Sequence, residues 1–236
     1  MYCISKENSN RRNQMKQNNS THRASREKTL GLVQMSIFSA LIFVLAFTPF
    51  IGYIPLGITR ATIIHIPVIV GSLMMGPKKG AILGAVFGLT SFINNTMNPT
   101  ITSFVFTPFY TLGEYNGGLG SLVICFLPRI LVGVIPYFVY QLFKKCMRKS
   151  GVSHTGLVAA GLLGSLTNTV GVMMLIFVFF KEAYASANGI AAEAVYSFIV
   201  GIIGANGVPE AIVSAIITLF IGKTLMKSSV RERLGV

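Results

Sequence analysis

Aspartate is absent from this chain, and the gap narrows its chemistry at once. Paired-carboxylate catalysis would have to draw on seven glutamates, Glu7, Glu27, Glu114, Glu182, Glu193, Glu210 and Glu232. Of these only Glu210 falls inside an expected helix. Proton-relay transport, which usually shows several intramembrane acids, is served no better. Cysteine is scarce: Cys3, Cys125 and Cys146 are odd in number and far apart, with no CxxC pair. That pattern argues against a disulfide framework and against a zinc site. The three histidines, His22, His65 and His154, are scattered. No GxxxxGK[ST] loop exists to cradle ATP phosphates, and Gly76-Pro77-Lys78-Lys79-Gly80 matches one in composition only. HExxH and GxSxG are missing as well. No metal, no cofactor and no catalytic constellation is expected. Charge itself is sparse, at 11% of residues, against about 25% in an ordinary soluble domain.

What is present is hydrophobic: 52% of the chain. The few charges sort by position. Seventeen of the twenty Lys and Arg residues fall in four clusters. These are the N-terminal tail (Lys6 to Lys28), Lys78-Lys79, the group Lys144, Lys145, Arg148 and Lys149, and the C-terminal tail (Lys223, Lys227, Arg231, Arg233). Lys and Arg collect in cytoplasmic loops of membrane proteins. If all four clusters are cytoplasmic, each adjacent pair is separated by an even number of crossings. Two crossings per gap give an all-α integral membrane bundle of six transmembrane helices with both termini inside. The net charge of +13 would point to nucleic acid in a soluble protein. At helix ends it is explained instead by orientation against an anionic inner leaflet, so no nucleic-acid partner is expected.

Residues 1–29 are polar, without the apolar stretch or cleavage site of a signal peptide. They read as a disordered basic cytoplasmic tail. The membrane domain then covers 30–227, and 228–236 form a second cytoplasmic tail. The first helix is expected from about Leu30 to Phe50, long enough to cross about 30 Å of hydrocarbon. The outer segment Ile51-Gly52-Tyr53-Ile54-Pro55-Leu56-Gly57 is expected to form an ordered hydrophobic flap. Short helices follow at about 61–76 and 80–95, then a long outer loop to about Gly120. With Phe104, Phe106, Phe109 and Tyr110, that loop is expected to pack. Longer helices are expected at about 119–144, 154–180 and 206–226. Ala194 to Gly204 is apolar but half the length needed to span, so it is placed on the outer side as a short packed or re-entrant piece.

Polar groups at depth must find partners away from lipid. Arg129, Asn206 and Glu210 fall in the outer half of the expected bundle, and Asn168 near its middle. Together they would offer cationic, amide and anionic groups within apolar walls, a composition suited to a small polar metabolite. The competing reading is that Arg129 and Glu210 pair and Asn168 caps a kink. For His65 a packing role near the interface is favoured. Gly80, Gly84 and Gly88 recur every fourth residue and read as a helix-packing face, as small residues allow close approach. Ser36 and Ala40 have the same spacing in the first helix.

These stretches, taken in order, resemble a known family. Thr62-Ile63-Ile64-His65-Ile66-Pro67-Val68-Ile69-Val70-Gly71, Met75-Gly76-Pro77-Lys78-Lys79-Gly80, Leu127-Pro128-Arg129-Ile130-Leu131-Val132-Gly133 and Asn206-Gly207-Val208-Pro209-Glu210 are similar to the substrate-binding S component of energy-coupling factor (ECF) vitamin transporters of Gram-positive bacteria. The resemblance spans about Leu30 to Lys227. It implies a protein of the cell membrane that binds one vitamin beneath an outer flap. It implies as partners a transmembrane scaffold subunit and two cytoplasmic ATPases, and release of cargo after toppling in the bilayer. The family's first helix carries an Ala-x-x-x-Ala motif that packs on the scaffold. Ser36 and Ala40 match it, with Ser in place of the first Ala. Tyr53 to Gly57 and Asn94-Asn95-Thr96 are similar to pantothenate-type members. The expected substrate-binding residues are therefore Arg129, Asn168, Asn206, Glu210, Tyr53 and Asn95. Pantothenate carries a carboxylate, for which Arg129 or Arg60 is the natural counter-ion. Riboflavin-type members share much of the frame. A small intramembrane enzyme and a ligand-free assembly subunit are the readings from other classes.

Overall fold

The computed structural model describes residues 25–26, 28–48, 53–56, 59–113, 115–147 and 152–226, with backbone alone at 53–61 and 112. Most of the two expected tails, and residues 51–52 and 57–58 of the expected flap region, lie outside the described residues. Helix α1 is Lys28–Phe47. A hairpin follows, β1 Tyr53–Leu56 antiparallel to β2 Thr59–Thr62, with Tyr53 opposite Thr62 and Leu56 opposite Thr59. Next come α2 His65–Met75, α3 Pro77–Met97, a 3-10 turn Ser103–Val105, and a small ribbon of β3 Thr111–Leu112 with β4 Tyr115–Asn116. The remaining elements are α4 Leu119–Cys146, α5 His154–Asn188, a 3-10 turn Ala192–Ala194, α6 Val195–Ile202, a π-turn Ile203–Gly207 and α7 Val208–Leu225.

Among the described residues, four helical runs are long and apolar enough to cross a membrane: α1, α4, α5 and the continuous run Ala192–Leu225. The architecture is thus a mostly helical membrane bundle with two small β ribbons. Several boundaries differ from those expected. The second helix starts at His65 rather than Ala61, because residues 59–62 pair as a strand. The third is longer at both ends. Pro77 fits a first helical turn, where its missing N–H is not needed, and Gly76 before it takes φ +90°, open to glycine. At the other end, Asn95 Nδ2 and Thr96 Oγ1 donate 2.8 Å bonds to the Ser91 and Phe92 carbonyls within the helix. The fifth kinks at Phe180, the expected end, but continues to Asn188. The apolar segment 194–204 is helical and runs through the π-turn into α7. Pro209 has no N–H to return to the Ala205 carbonyl, which favours a widened turn there. At 34 residues this run measures about 51 Å. Its first turns therefore extend past a hydrocarbon core about 30 Å thick.

Helix α7 shows why the bundle suits lipid. Val208, Ile212, Ile216 and Phe220 are exposed on one face, while Glu210, Ser214, Thr218 and Gly222 are buried on another. Polar residues face inward and apolar ones outward, the reverse of a water-soluble helix. The glycines of α3 make the closest helix approach. A Cβ at Gly80 or Gly84 would meet the backbone of α4 at Gly133 or Arg129, and one at Gly88 the Phe126 ring. They are an internal packing face.

Two apolar cores stack along the bundle. One joins Ile42 of α1, Val68, Ile69 and Leu73 of α2, Leu83 and Phe87 of α3, Val132 of α4 and Leu157 of α5. Met226 packs on it, and the Lys79 side chain lies against Gly31. The other core joins Ile124 of α4, Val172 and Ile176 of α5 and Val195 and Ile199 of α6 to Phe104 and Val105 of the long loop. That loop packs, as its aromatic residues predict. Ser121 Oγ donates to the Phe104 carbonyl at 2.7 Å, and Phe104 meets Phe180 edge-on at 5.8 Å.

Candidate functional site

Between the two cores lies a layer of polar side chains. On α4 it falls between Ile124 and Val132, on α5 between Ala160 and Val172, and beyond them at the end of the π-turn and in the first turn of α7. Arg129, Asn168, Thr169, Asn206 and Glu210 occupy these positions. Pro128 of α4 packs over Gly171 of α5, and Gly207 over Thr169, so the three segments stand at one level.

Arg129 is almost fully buried, at 6% exposure. Its Nη1 donates to the Ile124 carbonyl at 2.7 Å and its Nη2 reaches Ser91 Oγ at 3.5 Å. The Phe87 and Phe106 rings lie 5.7 and 5.2 Å from its Cζ, within cation–π range. Two helices and the outer loop therefore fix one buried positive charge. Glu210 is equally buried and has other neighbours. One carboxylate oxygen accepts the Thr62 backbone N–H at 2.6 Å, and the other the Thr169 hydroxyl at 3.0 Å. Asn168 Oδ1 and Asn206 Oδ1 are shielded from solvent and have no hydrogen-bond partner among the described residues. Unpaired acceptors in a membrane interior are expensive. Two at the level of a buried guanidinium are able to accept hydrogen-bond donors.

The other expected site residues are placed differently. Asn95 is held within the fold: Nδ2 bonds the Ser91 carbonyl, and Oδ1 accepts from Ser103 Oγ at 3.0 Å. It staples the long outer loop to α3. The Tyr53 and Arg60 side chains lie outside the described residues. His65 is packed inside the bundle, at 1% exposure, with neither ring nitrogen hydrogen-bonded among the described residues. Sequence reasoning missed Thr169, Ser91, Phe87 and Phe106. Thr169 was legible as the neighbour of a mid-helix Asn, whereas the Arg129 neighbours come from other helices and carry no local signal. Ser36 and Ala40 lie on the exposed side of α1. Among the described residues no group of three or more His, Cys, Asp or Glu side chains could hold a metal ion.

Comparison with known proteins matches residues 31–222 to the family "ECF transporter, substrate-specific component". Two curated relatives cover nearly the whole chain. The "Pantothenic acid transporter PanT" of Lactococcus lactis subsp. cremoris is 36% identical over 206 residues, 86% of this chain and 97% of the relative. The "Pantothenate transporter PanT" of Leuconostoc mesenteroides subsp. mesenteroides is 31% identical over 223 residues, 90% and 98% of the two chains.

Proposed function

The chain belongs to the substrate-specific components of ECF transporters, and we propose that the ligand it binds is pantothenate. It is a membrane transport component, not an enzyme. One observation carries the ligand reading: a buried cation, Arg129, at the level of two unpaired amide oxygens, Asn168 and Asn206. Pantothenate has the complementary groups, a carboxylate at one end and amide and hydroxyl donors along its length. The guanidinium would take the carboxylate, and the asparagine oxygens would accept from the hydroxyl or amide hydrogens. The two relatives named for pantothenate support the same choice. Riboflavin offers no carboxylate to the buried cation.

The wider proposal follows the family. The chain crosses the membrane six times with both termini inside, in the plasma membrane of a Gram-positive bacterium. The grouping of Lys79, Lys144, Lys145 and Lys223 at helix ends supports this orientation. The partners are a transmembrane scaffold subunit, docked on Ser36 and Ala40, and two cytoplasmic ATPases. The β1–β2 hairpin is the outer flap over the ligand.

Equilibrium binding of radiolabelled pantothenate and riboflavin to the purified protein, without ATP, tests the ligand. Saturable binding of pantothenate with no chemical turnover is expected. Binding of riboflavin alone would overturn the ligand reading, and turnover would overturn the transport role.

A further inference from the structure

We propose that Glu210 is a positioning residue, a latch that ties the root of the β1–β2 hairpin to α5 and so sets how slowly a bound ligand leaves. The proposal rests on the reading of the hairpin as a flap over the ligand.

A two-stranded hairpin is marginal by itself in water. What holds the hairpin in place is therefore where it is anchored. Thr62 is the last residue of β2 and stands opposite Tyr53, the first of β1. One bond at Thr62 thus fixes the root of both strands. That bond goes to Glu210: the Thr62 N–H donates 2.6 Å to one carboxylate oxygen. The other oxygen accepts from Thr169 Oγ1 at 3.0 Å, so the carboxylate bridges hairpin and α5 from the start of α7. β2 also rests on the π-turn Ile203–Gly207 and on α7. The π-turn carries Asn206, so latch and ligand acceptor share one short segment. A carboxylate whose two oxygens both hold protein donors is built to position those donors. Contact with the ligand is left to the unpaired amides.

Glu210→Gln separates the two roles. Glutamine keeps an acceptor for the Thr62 N–H and offers an amide hydrogen to the Thr169 hydroxyl, but it removes the charge. Glu210→Ala removes the bridge, and Thr169→Val removes one leg of it while leaving Glu210 in place. Two readouts on the purified full chain are needed: hydrogen exchange of the 53–62 amides without ligand, and dissociation of radiolabelled pantothenate. Glu210→Ala should accelerate exchange at 53–62 and dissociation, each by about tenfold or more, as expected for loss of a hydrogen bond to a charged group. Exchange in α4 and α5 should be unchanged. Thr169→Val should give a smaller shift of the same kind, and serves if Glu210→Ala does not fold. Glu210→Gln should fall between wild type and Glu210→Ala in both readouts, because it keeps the bridge with neutral hydrogen bonds. The latch is overturned if neither Glu210→Ala nor Thr169→Val moves flap exchange, or if Glu210→Gln is as damaging as Glu210→Ala. If wild type binds no pantothenate but the exchange pattern holds, the latch stands and the ligand reading falls.

Discussion

Arg129 Nη1 donates its 2.7 Å hydrogen bond to the carbonyl of Ile124, the acceptor that Pro128 leaves empty. In a regular helix the Ile124 carbonyl would receive the N–H of residue 128. Proline has none. The next side chain supplies the missing donor and is itself tethered, so one sequence step both breaks the helix ladder and aims a buried cation. The guanidinium is a planar fork with five donors, so a group held by one arm can still be shared with a carboxylate. Arg129→Ala should weaken pantothenate binding by about 1.5–3 kcal/mol, the usual size for a hydrogen bond to a charged group. Arg129→Lys should not restore it, since an ammonium cannot hold the carbonyl and a carboxylate in the same fork geometry. Equilibrium binding checks both. Unchanged affinity in a folded Arg129→Ala protein would remove the anion reading and favour riboflavin.

Pro128→Ala returns an N–H to the Ile124 carbonyl and competes with Arg129 for it. Proline in a helix interior is disfavoured by about 3 kcal/mol relative to alanine. Thermal stability in detergent should therefore hold or rise. Pantothenate affinity should fall all the same, because the guanidinium loses its tether. A loss of stability would mean that the Pro128 ring, packed on Gly171, matters more for helix contact than for aiming Arg129.

Asn168 and Asn206 make the opposite bargain visible. Their Oδ1 atoms have no hydrogen-bond partner among the described residues. Asn168→Ala and Asn206→Ala should each weaken binding by about 0.5–1.5 kcal/mol. The ligand-free protein should be as stable as wild type or more so, since an unpaired buried acceptor is removed. Paired thermal unfolding and binding measurements decide. Lower stability with intact binding would assign the two residues to the fold.

The positive clusters and apolar lengths made the helical membrane plan legible, and the packed outer loop followed from its aromatic residues. Two kinds of feature were not legible. One is backbone: the strand at 59–62 and the latch to Thr62 involve a main-chain N–H, which every residue but proline carries. The other is continuity. The segment 194–204 is too short to span alone, yet the π-turn at 203–207 joins it to α7. For Arg129 and Asn168, depth in an apolar stretch was enough to single them out. Asn95 looked equivalent, but its partner Ser103 lies eight residues on, in a loop whose path the sequence did not reveal.

The α3–α4 contact should tolerate no added carbon. At Gly84 a Cβ would fall on the Arg129 carbonyl and on Ile130 Cα, both backbone atoms that cannot swing aside. Gly84→Val should lower stability by about 1–3 kcal/mol, the range for overpacking a close contact. Thermal unfolding in detergent measures it. Because the clash lies at the Arg129 backbone, pantothenate binding should weaken in parallel. A stable Gly84→Val protein would mean that the two helices sit further apart.

The last prediction concerns the face that α1 turns away from the bundle. Ile42 and Ala46 are buried in the core, whereas Leu32, Ile37, Leu41 and Val44 are exposed. Ser36 and Ala40 sit among those bulky residues, one helical turn apart, and form a shallow notch. The Ser36 hydroxyl donates to the Leu32 carbonyl at 3.0 Å, so it leaves no unpaired donor on this apolar surface. Against lipid such a notch gives nothing, but against another helix it allows close backbone approach. Ser36→Trp and Ala40→Trp should fill it. Vitamin uptake by cells, or by vesicles holding the scaffold and both ATPases, should fall sharply. Pantothenate binding to the isolated protein should remain near wild type, because the substituted side chains point away from the core. If binding is lost instead, the face serves internal packing; if uptake also survives, the scaffold docks elsewhere.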